Sequence, residues 1–310
     1  TKHLLAAELH PFVDNFPGLD LSADTLLAFR EAQDAAIELA STDGTGVSRT
    51  AITVDSNDYE MPALLYRPTS DQTNGTAYLH IHGGGYVIGS AAGSDANNLE
   101  LCASLGITVL SVDYRLAPEH PLPAPLDDCY AGLQWLHDNA ESLSIDPARI
   151  AIGGESAGGG LAAACAILAR DRGELSICHQ HLTYPMLDSR TGRAGFEGDP
   201  LVGEFIWTRS LNIFGWDSIL GDAETKAPQV PALLEDFSNL PSIWIHTVGL
   251  DLFRDENIEY AQRLMAAGIA TELEVLPGAC HGYQMMPGTQ LGERYRQSHM
   301  NALARGLGLG

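Results

Sequence analysis

Residues 153–160 read GGESAGGG and set one serine and one glutamate among glycines. A serine hydroxyl attacks only when a base takes its proton, a third group orients that base, and hydrogen-bond donors await the oxyanion that forms. Ser156 has Gly154 two residues before it and Gly158 two after it. This is the G-x-S-x-G spacing of a sharp strand-to-helix turn, in which the neighbours must be small and the hydroxyl projects above a sheet edge. The competing identity is a glycine-rich phosphate loop, but the run lacks both a G-K-[ST] ending and G-x-G-x-x-G spacing.

The base must lie later in the chain. His179 and His181 fall inside an apolar strand-like run, His246 inside another, and His299 in a terminal helical stretch. His281 alone follows a strand-like run, TELEVLP, and its loop, at the carboxyl end where open α/β sheets carry their sites. The orienting acid is expected after the preceding strand, and Asp251 follows SIWIHTVGL. Asp255 and Glu256 are the alternatives, although acids at the start of a helix commonly serve its dipole. HIHGGGY supplies the oxyanion donors, because Gly83, Gly84 and Gly85 let the backbone approach a substrate and turn its N–H groups inward.

These groups need a scaffold. Short apolar runs (TAYLHIH, ITVLSVDY, RIAIGG, HQHLTYP, SIWIHTVG, TELEVLP) alternate with helical stretches. The pattern predicts an α/β fold with a mostly parallel central sheet flanked by helices. SRTAITV and MPALLYRP read as strands paired around DSND. Residues 1–45 read as helical, with Ser22 capping a helix through ADTLLAFREAQDAAIELA and Asp24 in its first turn. Residues 186–235 interrupt the alternation and read as an insertion above the sheet, with a helix near GEFIWTRSLNIFG.

The chain of 310 residues fits one domain of this class, 1–310. Forty acidic residues against 17 basic ones give a formal charge of −23, which argues against nucleic-acid and membrane-surface partners. The N-terminus does not read as a secretion signal. Five scattered cysteines with no C-x-x-C pair fit a reduced, cytoplasmic setting.

With these motifs in order, the sequence resembles the bacterial hormone-sensitive-lipase-like (family IV) esterases of the α/β-hydrolase fold. HGGGY, DYRLAPEHPLPAPLDD, GESAGGGLA, GLDLFRDE and HGY carry the resemblance. It implies a carboxylesterase with the triad Ser156, Asp251 and His281 and no cofactor. It also implies oxyanion donors at the amides of Gly84, Gly85 and Ala157, with His82 and Gly83 shaping the loop. Residues 1–45 and 186–235 would then form a helical cap. Two departures stand out: Glu155 where Asp is commoner, and Leu252-Phe253 where Pro-Leu is usual. Leu252 and Phe253, with Phe205, Ile206 and Trp207 of the insertion, are expected to narrow the acyl pocket to short chains of about two to six carbons.

The expected partner is a small ester, with a homodimer as one option for assembly. A deacetylase or amidase acting on acetylated small molecules is a second reading. A silent small-molecule receptor of the same fold is a third, but such proteins lose a triad member and all three are present here. Metal catalysis would have to use His80 and His82 or His179 and His181, pairs with no third ligand evident.

Overall fold

The computed structural model describes residues 1–70, 73–222 and 225–310; residues 223 and 224 of the expected insertion lie outside them. Among the described residues eight strands form one sheet. They are β1 (Val47–Ser56), β2 (Tyr59–Pro68), β3 (Ala77–Ile81), β4 (Thr108–Val112), β5 (Ile150–Glu155), β6 (His179–Thr183), β7 (Ser242–Val248) and β8 (Thr271–Leu276). Their spatial order is β1-β2-β4-β3-β5-β6-β7-β8. β1 and β2 form an antiparallel hairpin across Asn57-Asp58, with Asn57 at φ 52, a left-handed conformation that asparagine tolerates in tight hairpin turns. β2 joins β4 antiparallel and every later pairing is parallel. Each residue of β3, β4 and β6 is buried, as continuous apolar runs in a two-sided parallel sheet require.

The helices in chain order are α1 (His10–Asn15), α2 (Leu26–Ala36), α3 (Asp95–Leu105), α4 (Ala124–Asp138), α5 (Ala140–Leu143), α6 (Ala157–Arg172), α7 (Arg209–Leu220), α8 (Arg254–Ala266) and α9 (Gln290–Gly306). α4, α6 and α8 cover one face of the sheet, and α3 and α9 cover the other. α6 is almost wholly buried, and its small residues let it lie against β5 and β6.

Two local expectations change. α2 begins at Leu26 rather than beside Ser22, and no acid lies in its first turn, so Asp24 does not serve it. The Ser22 amide instead donates to the Thr25 hydroxyl and the Ser22 carbonyl accepts from the Leu26 amide, so Ser22 sits in a bend before the helix. The insertion's helix begins at Arg209, where the Thr208 side chain caps it, leaving Phe205, Ile206 and Trp207 on the irregular approach with Ile206 at φ 60.

Candidate active site

β5 runs into Ser156, which opens α6 at φ 56 and ψ −120, a strained conformation for a residue bearing a side chain. Backbone bonds from several directions hold it there. The Ser156 amide donates to the Thr183 carbonyl, and the Ser156 carbonyl accepts from the amides of Gly160 and Met186. A Cβ on Gly154 or on Gly158 would come within 2.0 Å of the Ile81 carbonyl oxygen, so the close approach of turn and β3 excludes any side chain there. The α6 N-terminus lies beside Ser156, where it favours negative charge.

Asp251 follows β7 and His281 follows β8. The loops are stitched together, since the Gly249 amide donates to the Leu276 carbonyl and the Leu250 amide to the Ala279 carbonyl. His281 Nδ1 lies 2.8 Å from Asp251 Oδ2, while Asp251 Oδ1 accepts the Phe253 amide at 3.0 Å. Both side chains are buried, with Asp251 only 1% exposed. The rival acids are occupied elsewhere. Asp255 pairs with Arg254 at the surface, and Glu256 accepts the amides of Leu187 and Asp188 and contacts the Thr191 hydroxyl. Burial drives the Glu256 carboxyl well above the usual carboxylate range. Ser156 and His281 line the same cavity; among the described residues, the side-chain hydrogen bond of His281 goes to Asp251 only. A loose nucleophile–base contact is common before substrate binds.

The loop after β3 turns at Gly83. His82 Nδ1 bonds the Gly83 carbonyl at 2.8 Å, and its ring stacks on Tyr114 at 4.3 Å. Burial lowers the His82 pKa to about 4, so its ring is neutral near pH 7 and serves the loop's shape. Gly84, at φ 121, turns its carbonyl to accept from the amides of Val87 and Ile88. Among the described residues the amides of Gly84, Gly85 and Ala157 donate to no acceptor. Glu155, one residue before the serine, lies 3.2 Å from His80 Nε2.

The cavity over Ser156 has a volume of about 1130 Å³. Ile206 and Trp207 line it as expected, and a Cβ on Gly85 would meet the Trp207 ring at 2.1 Å. Phe205, Leu252 and Phe253 do not line it. Phe205 joins an apolar cluster with Leu5 and Leu9, Leu252 packs on Gly203, and Phe253 sits behind His281, ring edge to ring face at 5.4 Å. Sequence reasoning missed Tyr184, whose ring lies 4.4 Å from His281, and Phe16, Leu19 and Phe29 from the N-terminal segment. Tyr184 follows the carboxyl end of β6, a position whose significance was available in the sequence.

The paired histidines have partners that divide them. His80 bonds Ser111 and Glu155, His179 bonds Ser242, and His181 bonds His299. Among the described residues no three His, Cys, Asp or Glu side chains converge as a metal set. Cys280 is buried, and burial with the Asp251 charge pushes its thiol up to about 12. No described helix is long and apolar enough to cross a membrane.

Residues 78–285 match the family described as alpha/beta hydrolase fold. The carboxylic ester hydrolase LipN of Mycobacterium tuberculosis is 35% identical over 269 residues, covering 84% of this chain and 70% of the relative. An arylesterase of Saccharolobus solfataricus is 33% identical over 291 residues, covering 91% of this chain and 94% of the relative. The solved structure of a bacterial heroin esterase superposes with a TM-score of 0.88 at 37% identity, over 98% of both chains.

Proposed function

The chain belongs to the hormone-sensitive-lipase-like (family IV) branch of the α/β hydrolases and is a carboxylic ester hydrolase, and from that premise we propose that it works through Ser156, His281 and Asp251 and an acyl-enzyme. His281 takes the Ser156 proton as Oγ attacks the ester carbonyl carbon, and the resulting oxyanion accepts from the amides of Gly84, Gly85 and Ala157. The imidazolium protonates the departing alcohol. Water, deprotonated by His281 in turn, attacks the acyl carbon and frees the acid and the serine. Asp251 fixes the imidazole tautomer and offsets its charge. One observation carries this reading: the 2.8 Å contact between His281 Nδ1 and Asp251 Oδ2 at the wall of the cavity that Ser156 opens into.

Residues 1–45 and 186–235 are read as the cap. In support, Phe16, Phe29, Ile206 and Trp207 line the cavity, and Arg30 of α2 donates to the carbonyls of Val87 and Ala117. Trp207 presses on Gly85 beside the oxyanion amides, which favours a short acyl group there and leaves the larger volume for the alcohol. A fluorophosphonate probe tests the nucleophile directly. It should add its mass to the Ser156 peptide and abolish hydrolysis of p-nitrophenyl acetate. An unlabelled Ser156 in an inhibited enzyme would refute the assignment.

A further inference from the structure

We propose that Arg30, on α2, is a positioning residue for the reaction: its charge reaches the Gly85 amide through two peptide groups and strengthens that amide as an oxyanion donor. The proposal rests on the reading above, in which Gly85 is one of the oxyanion donors. Arg30 Nε donates to the Val87 carbonyl at 2.7 Å. The Val87 carbonyl and the Ile88 N–H belong to one conjugated peptide group. The Ile88 amide donates to the Gly84 carbonyl at 3.0 Å. That carbonyl in turn shares its peptide group with the Gly85 N–H, which donates to no acceptor among the described residues. Donor and acceptor alternate in one direction, from the guanidinium to Gly85.

The direction decides the effect. A carbonyl that accepts a hydrogen bond draws electron density from its own N–H, which then donates more strongly. The guanidinium is always charged, so it starts a larger polarisation than a neutral donor would. A second chain, of backbone groups only, ends on the same oxygen. The His120 amide donates to the Leu116 carbonyl, the Ala117 amide to the Tyr86 carbonyl, and the Val87 amide to the Gly84 carbonyl. Gly84 thus accepts from two peptide groups that are each polarised already. The other bonds of Arg30 pass nothing on. One goes to the Ala117 carbonyl at 2.6 Å, whose peptide partner Pro118 has no N–H. Another goes to the exposed Glu119 carboxylate at 2.9 Å.

The segment around these bonds is held closely. The Arg30 side chain is only 16% exposed, so water competes little for its bonds. Tyr86 sits at φ 69, a conformation that persists only where its surroundings fix it. Gln33, one turn along α2 from Arg30, accepts the Gly89 amide at 3.1 Å. A stronger Gly85 donor matters little to a neutral ester carbonyl and much to the oxyanion, so the gain falls on the transition state.

The test uses butyl trifluoromethyl ketone. Ser156 Oγ adds to its carbonyl carbon, the serine proton passes to His281, and the ketone oxygen becomes an oxyanion at the amides. The corresponding alcohol has no carbonyl and cannot add. In Arg30→Met the ratio of ketone affinity to alcohol affinity should fall by about three- to tenfold. The kcat/KM for p-nitrophenyl acetate should fall by the same factor, while the alcohol's own affinity stays within about twofold. Glu119→Gln also removes a bond of Arg30 but leaves the chain to Gly85 intact, and its ratio should stay within about twofold of wild type. A wild-type preference for the ketone that is lost in Ser156→Ala yet unchanged in Arg30→Met refutes the role of Arg30 and leaves the ester reading standing. Equal falls in Arg30→Met and Glu119→Gln also refute it, since loosened docking of α2 would then suffice. Absence of any ketone preference in wild type removes the oxyanion assignment, and the role of Arg30 with it. Should Arg30→Met not fold, Arg30→Gln, which keeps a neutral N–H without the charge, is held to the same ratio, and an unchanged value there is equally decisive against the proposal.

Discussion

Ser156 is fixed by backbone hydrogen bonds to Thr183, Gly160 and Met186, on a turn where neighbouring side chains have no room. Trp207, on the opposite wall, is held by one side-chain bond from its indole N–H to Asn212, at 3.2 Å. Met285, which lines the same cavity, is 60% exposed. The floor is thus built from strand ends whose backbone groups leave few alternatives. The roof, the cap of the proposed reading, is built from loops and helices that reach the rest of the chain through side chains such as Arg30 and through scattered backbone bonds such as that from the Gly203 amide to the Leu250 carbonyl. On the proposed mechanism the reacting atoms must be held to fractions of an ångström, a demand that falls on the floor, whereas selection of an ester needs shape, a demand that falls on the roof.

The sharpest way to break this contrast is to remove floor groups singly. Ser156→Ala, His281→Ala and Asp251→Asn should each lower kcat/KM for a short ester by about 10³-fold or more, with losses that do not add. Asp255→Asn should change it by less than about threefold, since Asp255 faces Arg254 at the surface. If Asp255→Asn proves the more damaging, the floor is misassigned.

Glycine substitutions compare the regions by stability. At Gly158 a Cβ would meet the backbone oxygens of Ile81 at 2.0 Å and His82 at 2.5 Å, so Gly158→Ala should cost about 3 kcal/mol or prevent folding. At Gly195, in the insertion, a Cβ meets nothing within 4 Å and only the φ of 83° is unfavourable. Gly195→Ala should cost about 1 kcal/mol. Urea unfolding of both variants measures the difference, and similar midpoints would show that the floor yields.

Proton linkage separates the regions by sign. Burial lowers His82, His179 and His299 to about 4, and His181 well below its ordinary value. Unfolded histidine titrates near 6.5, so the unfolded chain binds more protons between these values. Their stabilisation is present above about pH 6.5 and is lost as pH falls toward 4. Tm should drop by at least about 10 °C over that window. Glu256, which ties residues 187–191 to α8, has a raised pKa. Its contribution is present below the ordinary carboxylate pKa and is lost as pH rises through the folded value. Glu256→Gln should therefore gain stability relative to wild type as pH increases. Thermal melts across pH 4 to 9 test both signs, and a flat profile in acid would mean the histidines are not neutral when folded.

The same division governed what could be read from the sequence. The strand periodicity marked the sheet, and residue chemistry at strand ends marked Ser156, Asp251 and His281, because parallel sheets bring those ends together whatever the loops do. The roof was less legible. Leu252 and Phe253 follow Asp251 immediately, which suggested a wall, but the turn that aims Asp251 at His281 sends both into the core. The pattern around Phe205 predicts a helix, yet the segment stays irregular until Thr208 caps α7. Phe16, Leu19 and Phe29 reach the cavity only through the docking of an N-terminal segment, and a local pattern does not encode that docking.

Trp207 offers the finest comparison, because it belongs to the roof yet touches the floor. Its ring fills the space that a Cβ on Gly85 would need, beside amides assigned to the oxyanion. It also lies 6.3 Å from the His281 ring. Trp207→Leu keeps the wall apolar but shortens it, which should open room for about two more methylenes. Each buried methylene is worth about 0.8 kcal/mol, or roughly fourfold, in the transition state if the pocket can take it. The ratio of hexanoate to acetate hydrolysis should therefore rise by about fourfold to fifteenfold. The acetate rate itself should fall less than about tenfold, because the substitution leaves Ser156, His281 and Asp251 in place. A profile that keeps its shape while Tm falls would make Trp207 a packing residue of the roof. A collapse of the acetate rate to the level of Ser156→Ala would instead show that the roof holds the catalytic geometry, and the separation of floor from roof would fail.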